Sequence, residues 1–402
     1  MQTVRRQRQD AGNGPALTAL ITSTRGRKPP TVAARTEPLT RSAATTCPTQ
    51  AELTRLFADG STGKITSMTK LRGCNRRREL WLGVLLTLLS VVSPVYSQLV
   101  SGTLEARWNE GSEDCVKNPQ PPIQVHQYNA ETFILRESLC ATYEAPFIYL
   151  LIGKTKALLI DTGAVADAKT MPLAQTVISL LPNGGSRLPL IVVHTHGHLD
   201  HRSGDDQFRA LPDVDLVPTD LESVKRRFGI ADWPNVIGQI DLGDRVIDVI
   251  PTPGHHASHV AYYDRQTGLF FSGDFLLPGR LLIEDTDAAL ASARRVAEFA
   301  EQHPITHVLG GHIELDESGK TFFGVRHHPN ERPLQLTRQD LLALPGIVGG
   351  FNGFYAKRGV YVLMNQNRIL ILLGVGAIIL LVALILILRA LWRRLRARAV
   401  AT

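Results

Sequence analysis

Cysteine is scarce in this sequence, with four among 402 residues, and an excess of positive charge is missing from the middle of the chain. Residues 1–80 hold fifteen Lys/Arg against five Asp/Glu, and the tail from Arg389 onward adds five arginines and no acid. The remainder, 81–388, carries 24 basic and 32 acidic residues, so the formal charge of +7 comes from the two ends. Basic residues placed there serve targeting and membrane topology, and an acidic middle argues against a nucleic-acid partner. Internal repeats are absent. Residues 1–67, rich in Thr, Ala, Arg, Pro and Gln, also lack a sustained apolar period. Such a composition cannot offset chain entropy by burial, and the segment reads as disordered. The length suits one large domain or two small ones.

Two apolar stretches interrupt this polar background. Met68 is followed by Lys70, Arg72, Arg76, Arg77 and Arg78, then by the run Leu80–Leu89 and by Val95-Tyr96-Ser97-Gln98. A basic start, a short apolar core and small residues before a cut form the secretory signal pattern, with cleavage after Ser97. The run is short for a spanning helix. Its position predicts that translation starts at Met68, that 68–97 is a signal peptide and that 1–67 lies upstream of the true start. An uncleaved signal anchor is the alternative. The second stretch, Ile369–Leu388, is twenty residues without a charge, enough to cross a bilayer. Arg389, Arg393, Arg394, Arg396 and Arg398 follow it, against Lys357, Arg358 and Arg368 before it, which puts the tail 389–402 in the cytoplasm. The expectation is a single-pass membrane protein whose domain faces the periplasm or the cell exterior. Cys47 and Cys74 precede the exported part, so Cys115 and Cys140 are expected to pair as a disulfide, two free thiols being the alternative.

Between these signals, 98–125 reads as an irregular lead-in with Pro119, Pro121 and Pro122, and 346–368 as a linker. Strands are expected at Thr132–Arg136, Phe147–Ile152, Ala157–Ile160, Leu188–Val193, Val214–Val217, Arg245–Ile250, Val260–Tyr263, Leu269–Ser272 and Thr306–Leu309. Helices are expected at Met171–Leu181, Asp220–Phe228, Asp287–Gln302 and Thr337–Leu344. Hairpin-spaced strands followed by alternating strands and helices indicate a layered α/β domain over 126–345.

The chemistry concentrates in Val193-His194-Thr195-His196-Gly197-His198-Leu199-Asp200-His201, directly after an apolar run. Imidazole and carboxylate are the donors that zinc and similar ions prefer. Alternate residues of an extended segment point the same way, so His196 and His198 can grip one ion while Asp200 and His201 face a second position. His255, Asp274 and His312 each lie just past an apolar run with a glycine before it, where the chain can bend abruptly. With them the count reaches seven ligands, suited to two ions. His194 reads as packing or support, as do His256 and His259, the latter two at the surface or behind a ligand. His327 and His328 lie on a loop that could border a pocket, and Tyr262 and Tyr263 pack in the sheet.

In their order, Thr195-His196-Gly197-His198-Leu199-Asp200-His201, Pro253-Gly254-His255, Ser272-Gly273-Asp274 and Gly311-His312 make the chain similar to the metallo-β-lactamase superfamily over roughly residues 125–330. The resemblance implies a four-layer αββα sandwich and two divalent ions, zinc first, with iron or manganese as alternatives. It implies that His196, His198 and His255 hold one ion, that Asp200, His201 and His312 hold the other, and that Asp274 bridges them. Asp161, in Leu159-Ile160-Asp161-Thr162-Gly163, corresponds to an aspartate that orients the ligand loop. The activity implied is hydrolysis of a small ester, thioester, lactone or phosphodiester by hydroxide held between the ions, with Asp200 also able to accept a proton. Asp274 sets the chain apart from the β-lactamases themselves, and Leu277 stands where quorum-sensing lactonases often carry tyrosine. An iron-dependent oxygenase and a non-catalytic, membrane-tethered scaffold are the alternatives. The histidine at 198, in place of the glutamate of flavodiiron reductases, and the complete ligand set weigh against both.

Overall fold

A computed structural model of the chain describes residues 98–182 and 188–400. The expected disordered segment 1–67 and signal peptide 68–97 lie outside the described residues, as do Cys47 and Cys74. From its start the described chain runs through strands β1 (Ile123–Asn129), β2 (Thr132–Glu137), β3 (Phe147–Ile152) and β4 (Ala157–Ile160). Helix α1 (Leu173–Leu180), strand β5 (Leu190–Val193), two single-turn helices α2 (Leu199–Arg202) and α3 (Asp206–Arg209), and β6 (Val214–Leu216) follow. These six strands form one sheet in sequence order, antiparallel from β1 to β4 and parallel from β4 to β6.

Next come α4 (Leu221–Phe228), β7 (Gly238–Asp241), β8 (Val246–Pro251), β9 (Val260–Asp264), β10 (Leu269–Gly273), β11 (Arg280–Leu282) and α5 (Thr286–Gln302). After them stand β12 (His307–Gly310), β13 (Gln335–Leu336), α6 (Arg338–Val348), β14 (Tyr355–Arg358), β15 (Tyr361–Met364) and α7 (Gln366–Val400). The second sheet has the order β13-β12-β10-β9-β8-β7, and β11-β15-β14 make a small third sheet. The stretch expected to be a linker, 346–368, is therefore structured: α6 runs on to Val348, and β15 pairs with β11 in parallel.

Side-chain period fixes the layers. Successive residues of a strand face opposite sides. In β3, Tyr149 and Leu151 join Ile160, Val193, Val249, Tyr262 and Phe271 in the core between the two large sheets. Ile148 and Leu150 turn outward, where Leu173 and Val177 of α1 and Phe208 of α3 cover them. On the other side Tyr263 and Phe270 meet Val296 and Phe299 of α5 and Leu341 and Leu344 of α6. The result is helices, sheet, sheet, helices: the αββα sandwich, with α7 as one long apolar helix at its C-terminal end. Each fully buried Val, Leu, Ile or Phe contributes about 1.5–3 kcal/mol.

Caps define the helix ends. The Asp220 carboxylate accepts from the Ser223 amide to start α4, and that of Asp285 from Asp287 and Ala288 to start α5. Thr337 and Asp340 form a capping box on α6. Cys115 and Cys140 are joined by a disulfide with Cα atoms 5.5 Å apart. It ties the lead-in to the loop after β2, and Trp108 packs edge-on to Phe147 at 4.9 Å.

Candidate metal centre

Strands β4, β5, β8, β10 and β12 all end at one rim of the sandwich, because β4 and β5 are parallel, β10 and β12 are parallel, and β8 is antiparallel to β9, which is itself antiparallel to β10. The loops leaving these ends carry Asp161, His194–His201, His255, Asp274 and His312. A side chain cannot substitute for glycine at two of the bends. Gly254 has φ +144°, and a Cβ there would come within 2.5 Å of the Ala289 Cα of α5. A Cβ on Gly311 would sit 2.6 Å from Asp274 Oδ1 and 2.9 Å from His201 Cε1.

The loops bring the seven predicted residues together in two adjoining groups. In the first, His196 Nε2 and His198 Nδ1 are 2.9 Å apart, and His255 Nε2 is 3.1 Å from each. In the second, His201 Nε2 lies 3.3 Å from His312 Nε2, 3.4 Å from Asp274 Oδ1 and 3.5 Å from Asp200 Oδ2. Asp200 Oδ2 is in turn 3.4 Å from His312 Nε2. Asp274 spans the groups: its Oδ1 turns to His201 and His312, and its Oδ2 is 3.7 Å from His255 Nε2.

Outer partners fix which ring nitrogen turns inward. His255 Nδ1–H donates to the Leu282 carbonyl at 2.8 Å, and His312 Nδ1–H to the Glu144 carbonyl at 2.8 Å. His201 Nδ1–H donates to Asp161 Oδ2 at 2.8 Å. Each Nε2 is thereby turned toward the centre, the orientation that metal-binding histidines adopt. Asp161, at φ +68°, also accepts from the Thr195 amide at 2.7 Å and from its hydroxyl, so one carboxylate aligns the start of the ligand loop and one of its rings.

Charge agrees with this donor set. Burial pushes the pKa of His196 well down, and the imidazoles of His201 and His255 add to the effect, so its ring is neutral. Burial and His255 also lower His198. Burial opposes ionisation of Asp200 and Asp274, yet His201 and His312 hold both carboxyls below the ordinary range. Burial likewise opposes charge on His312, but Asp274 and Asp200 raise it to about 9, and His201 is raised by Asp274, Asp161 and Asp200. Three carboxylates around these two rings make a pocket that favours positive charge. Asp274 Oδ1, moreover, is buried without a hydrogen-bond partner. A buried carboxylate oxygen left so is costly unless a cation meets it. Neutral rings at His196 and His198, ionised carboxylates, this orphan oxygen and a pocket that favours positive charge at His201 and His312 fit divalent ions.

The other predicted residues fall outside the two groups. His194 pairs with Asp205 Oδ1 at 2.8 Å, and its carbonyl accepts from the Tyr262 hydroxyl. Tyr262 faces the central core and Tyr263 the α5 side, where its hydroxyl donates to the Pro304 carbonyl. His259 is fully buried rather than at the surface, packed on His196 at 5.1 Å and bonded to Thr252 Oγ1 at 2.7 Å. His256 is half-buried beside His198. His328 is buried against Glu331 and stacks on Phe322, and both border the cavity over the two groups. That cavity, about 210 Å³, also takes in Tyr143, Arg280, Phe323 and Gln366, which no sequence motif marks. Arg280 lies in the segment after Asp274, but its ion pair with Glu314 and its contact with the Phe323 ring, 5.0 Å away, depend on the fold.

Comparison with known proteins agrees with the geometry. A family model described as metallo-beta-lactamase superfamily matches residues 142–345. The acyl-coenzyme A thioesterase MBLAC2 of Homo sapiens is 28% identical over 212 residues, covering 44% of this chain and 75% of that protein. A hydroxyacylglutathione hydrolase of Methylobacillus flagellatus is 29% identical over 213 residues, covering 50% and 75%. Among solved structures, a metallo-beta-lactamase from Pontibacter korlensis aligns at 20% identity and TM-score 0.35, covering 47% of this chain and 91% of its own.

Proposed function

The chain belongs to the metallo-β-lactamase superfamily and is a metallo-hydrolase, and from that premise we propose that it cleaves a carboxylic ester or thioester at a two-metal site outside the cytoplasm. The observation that carries the reading is Asp274, whose two oxygens turn to two complete ligand groups. His196, His198 and His255 would hold one ion, Asp200, His201 and His312 the other, with Asp274 shared. Zinc suits this nitrogen-rich donor set, and iron and manganese compete for it. When bound, two such ions lower the pKa of a water from about 15.7 toward neutrality and polarise the substrate oxygen.

The chain's own residues do the rest. Asp200 lines the cavity and can accept a proton from an attacking water. Asp161 holds Thr195 and His201, and the Leu282 and Glu144 carbonyls hold His255 and His312, so the donors need little reorganisation. The choice of ester and thioester over lactone and phosphodiester draws on the relatives, one named an acyl-coenzyme A thioesterase and the other a hydroxyacylglutathione hydrolase.

Placement outside the cytoplasm draws on three features. Gln366–Ala397 forms a helix of mean hydropathy 3.3 in its most apolar stretch, long enough to span a bilayer. More arginine follows its apolar run than precedes it, which favours a cytoplasmic C-terminus. The Cys115–Cys140 disulfide suits an oxidising compartment. In this reading the catalytic domain begins near residue 126 and, with β14 and β15 included, reaches the start of α7.

The test is turnover of activated esters and acyl thioesters by the purified, zinc-loaded chain, beside His196→Ala and Asp200→Ala. Both variants should lose turnover while keeping their fold. Activity retained in a folded, metal-depleted variant would overturn the mechanism. One iron per chain would point to an oxygenase, and no bound metal to a scaffold.

A further inference from the structure

Gln366, the first residue of α7, is also part of the wall of the cavity above the ligand groups. The apolar run begins three residues later, about 4.5 Å along a helix axis. The connection has no slack. Strand β15 pairs residue by residue with β11, from Arg280 against Val362 to Leu282 against Met364. Leu282 is the residue whose carbonyl holds His255. Asn365, buried between β15 and α7, donates from Nδ2 to the Glu284 carbonyl at 3.0 Å and accepts the Arg368 amide at 2.9 Å, capping the helix. One strand thus links a proposed metal ligand to the proposed membrane span.

The surface around this junction is apolar and basic. Phe323, 73% exposed, stands at the cavity mouth, and Phe354 and Tyr355 are exposed on the β14 side of the hairpin that leads into α7. Lys357 and Arg358 follow Tyr355 in β14, and Arg368 lies in the first turn of α7. Aromatic rings and cations collect at the bilayer interface in this way. Among the residues lining the cavity, Arg280 is the only Lys or Arg, and its guanidinium is already paired with Glu314. Among the described residues, the cavity lining itself therefore offers no spare cation for a polyanionic head group, and the basic residues named above lie outside that lining.

We infer that the site takes an amphiphile dissolved in the membrane, a long-chain acyl ester or thioester without a polyanionic head, whose scissile carbonyl reaches the ligand groups from the bilayer surface. The inference rests on the hydrolase reading and on α7 as a membrane span. In it the reaction stays a hydrolysis: water adds to the acyl carbon, the bond to oxygen or sulfur breaks, and the leaving group takes a proton.

The test uses the full zinc-loaded chain in phosphatidylcholine vesicles, with p-nitrophenyl butyrate as soluble ester and p-nitrophenyl palmitate as membrane-dissolved ester. A variant carries roughly twenty Gly/Ser residues between Arg368 and Ile369, which lets the domain drift by about 25 Å from the membrane. The insertion should cost about tenfold in palmitate turnover, through lower effective concentration at the surface, and leave butyrate turnover and co-flotation with vesicles unchanged. Palmitate turnover equal to that of the unaltered chain would overturn the inference. Tyr355→Asp, at an exposed position off the cavity, should act in the same direction, and keeps the question open to refutation if the insertion misfolds. Absence of butyrate turnover in the unaltered chain would instead remove the hydrolase reading, and failure to co-float would remove the membrane span. Either removes this inference too.

Discussion

At the scale of single residues, the centre depends on partners that never touch a substrate. Asp161 accepts from the Thr195 amide, the Thr195 hydroxyl and His201 Nδ1. Asp161→Asn would aim an amide N–H at that ring nitrogen and favour the tautomer whose Nε2 carries the proton. Metal affinity should fall about 10- to 100-fold while the fold survives, as read by competition with a chromophoric chelator. A second residue-scale prediction concerns stability alone. Arg136 and Glu331 form two hydrogen bonds of 2.6 Å with side chains 2% and 6% exposed. Burial opposes the Glu331 charge, but His328 and Arg136 hold its pKa below the ordinary 4.5. A lowered carboxyl pKa stabilises the fold above the unfolded value, and that stability is lost as pH falls through the folded value. Glu331→Gln should therefore cost about 3–5 kcal/mol near neutrality, by leaving Arg136 buried and unpaired. It should also flatten the loss of stability below pH 4.5, in urea denaturation followed across pH. The seven residues that the fold gathers were legible in sequence because histidine and aspartate announce themselves by type. Two of the three groups that orient them were not: the Leu282 and Glu144 carbonyls are backbone atoms, which any residue supplies.

At the scale of elements, legibility follows burial. Strands β2, β3, β4, β5, β9 and β10 are buried along their whole lengths, and their apolar runs marked them. Strand β1, with one buried residue in seven, starts inside the expected irregular lead-in and was not expected as a strand, and β14 has none buried. Strands β7, β11, β13 and β15 have two to four residues each. Their partners decide such short or half-exposed strands more than their own propensities do. Helix α6 passes through Pro345 and Gly346, where a stop was expected, because Leu341, Leu344 and Val348 bury one face against α5. The bend at Gly254 is where an element meets the site. Gly254→Ala would force a Cβ against Ala289 in a backbone region that L-residues avoid. It should displace His255, costing at least about 2 kcal/mol of stability and most of the bound metal, measured by thermal unfolding and metal analysis of the same preparation.

At the scale of the whole molecule, charge and apolarity are segregated along the chain: basic ends, an acidic middle and, among the described residues, one long apolar helix. That pattern was readable without a structure. The nearness of the helix to the cavity over the candidate metal centre was not, because it arises from β15 pairing with β11 across some eighty residues of sequence. Ending the chain after Arg368 should release it from membranes in alkaline carbonate while butyrate hydrolysis persists, since the removed residues hold no ligand. A pellet-and-supernatant assay reads the first outcome and a spectrophotometer the second.

In the proposed mechanism, seven side chains from four strand ends bind two ions and hydrolyse an ester through them. Titrating zinc into chelator-stripped protein while following ester turnover tests it most directly. Turnover should be absent from the stripped chain, rise until two zinc ions are bound per chain, and fail to return in His196→Ala. Full turnover by the stripped protein, or undiminished turnover by His196→Ala, would contradict it.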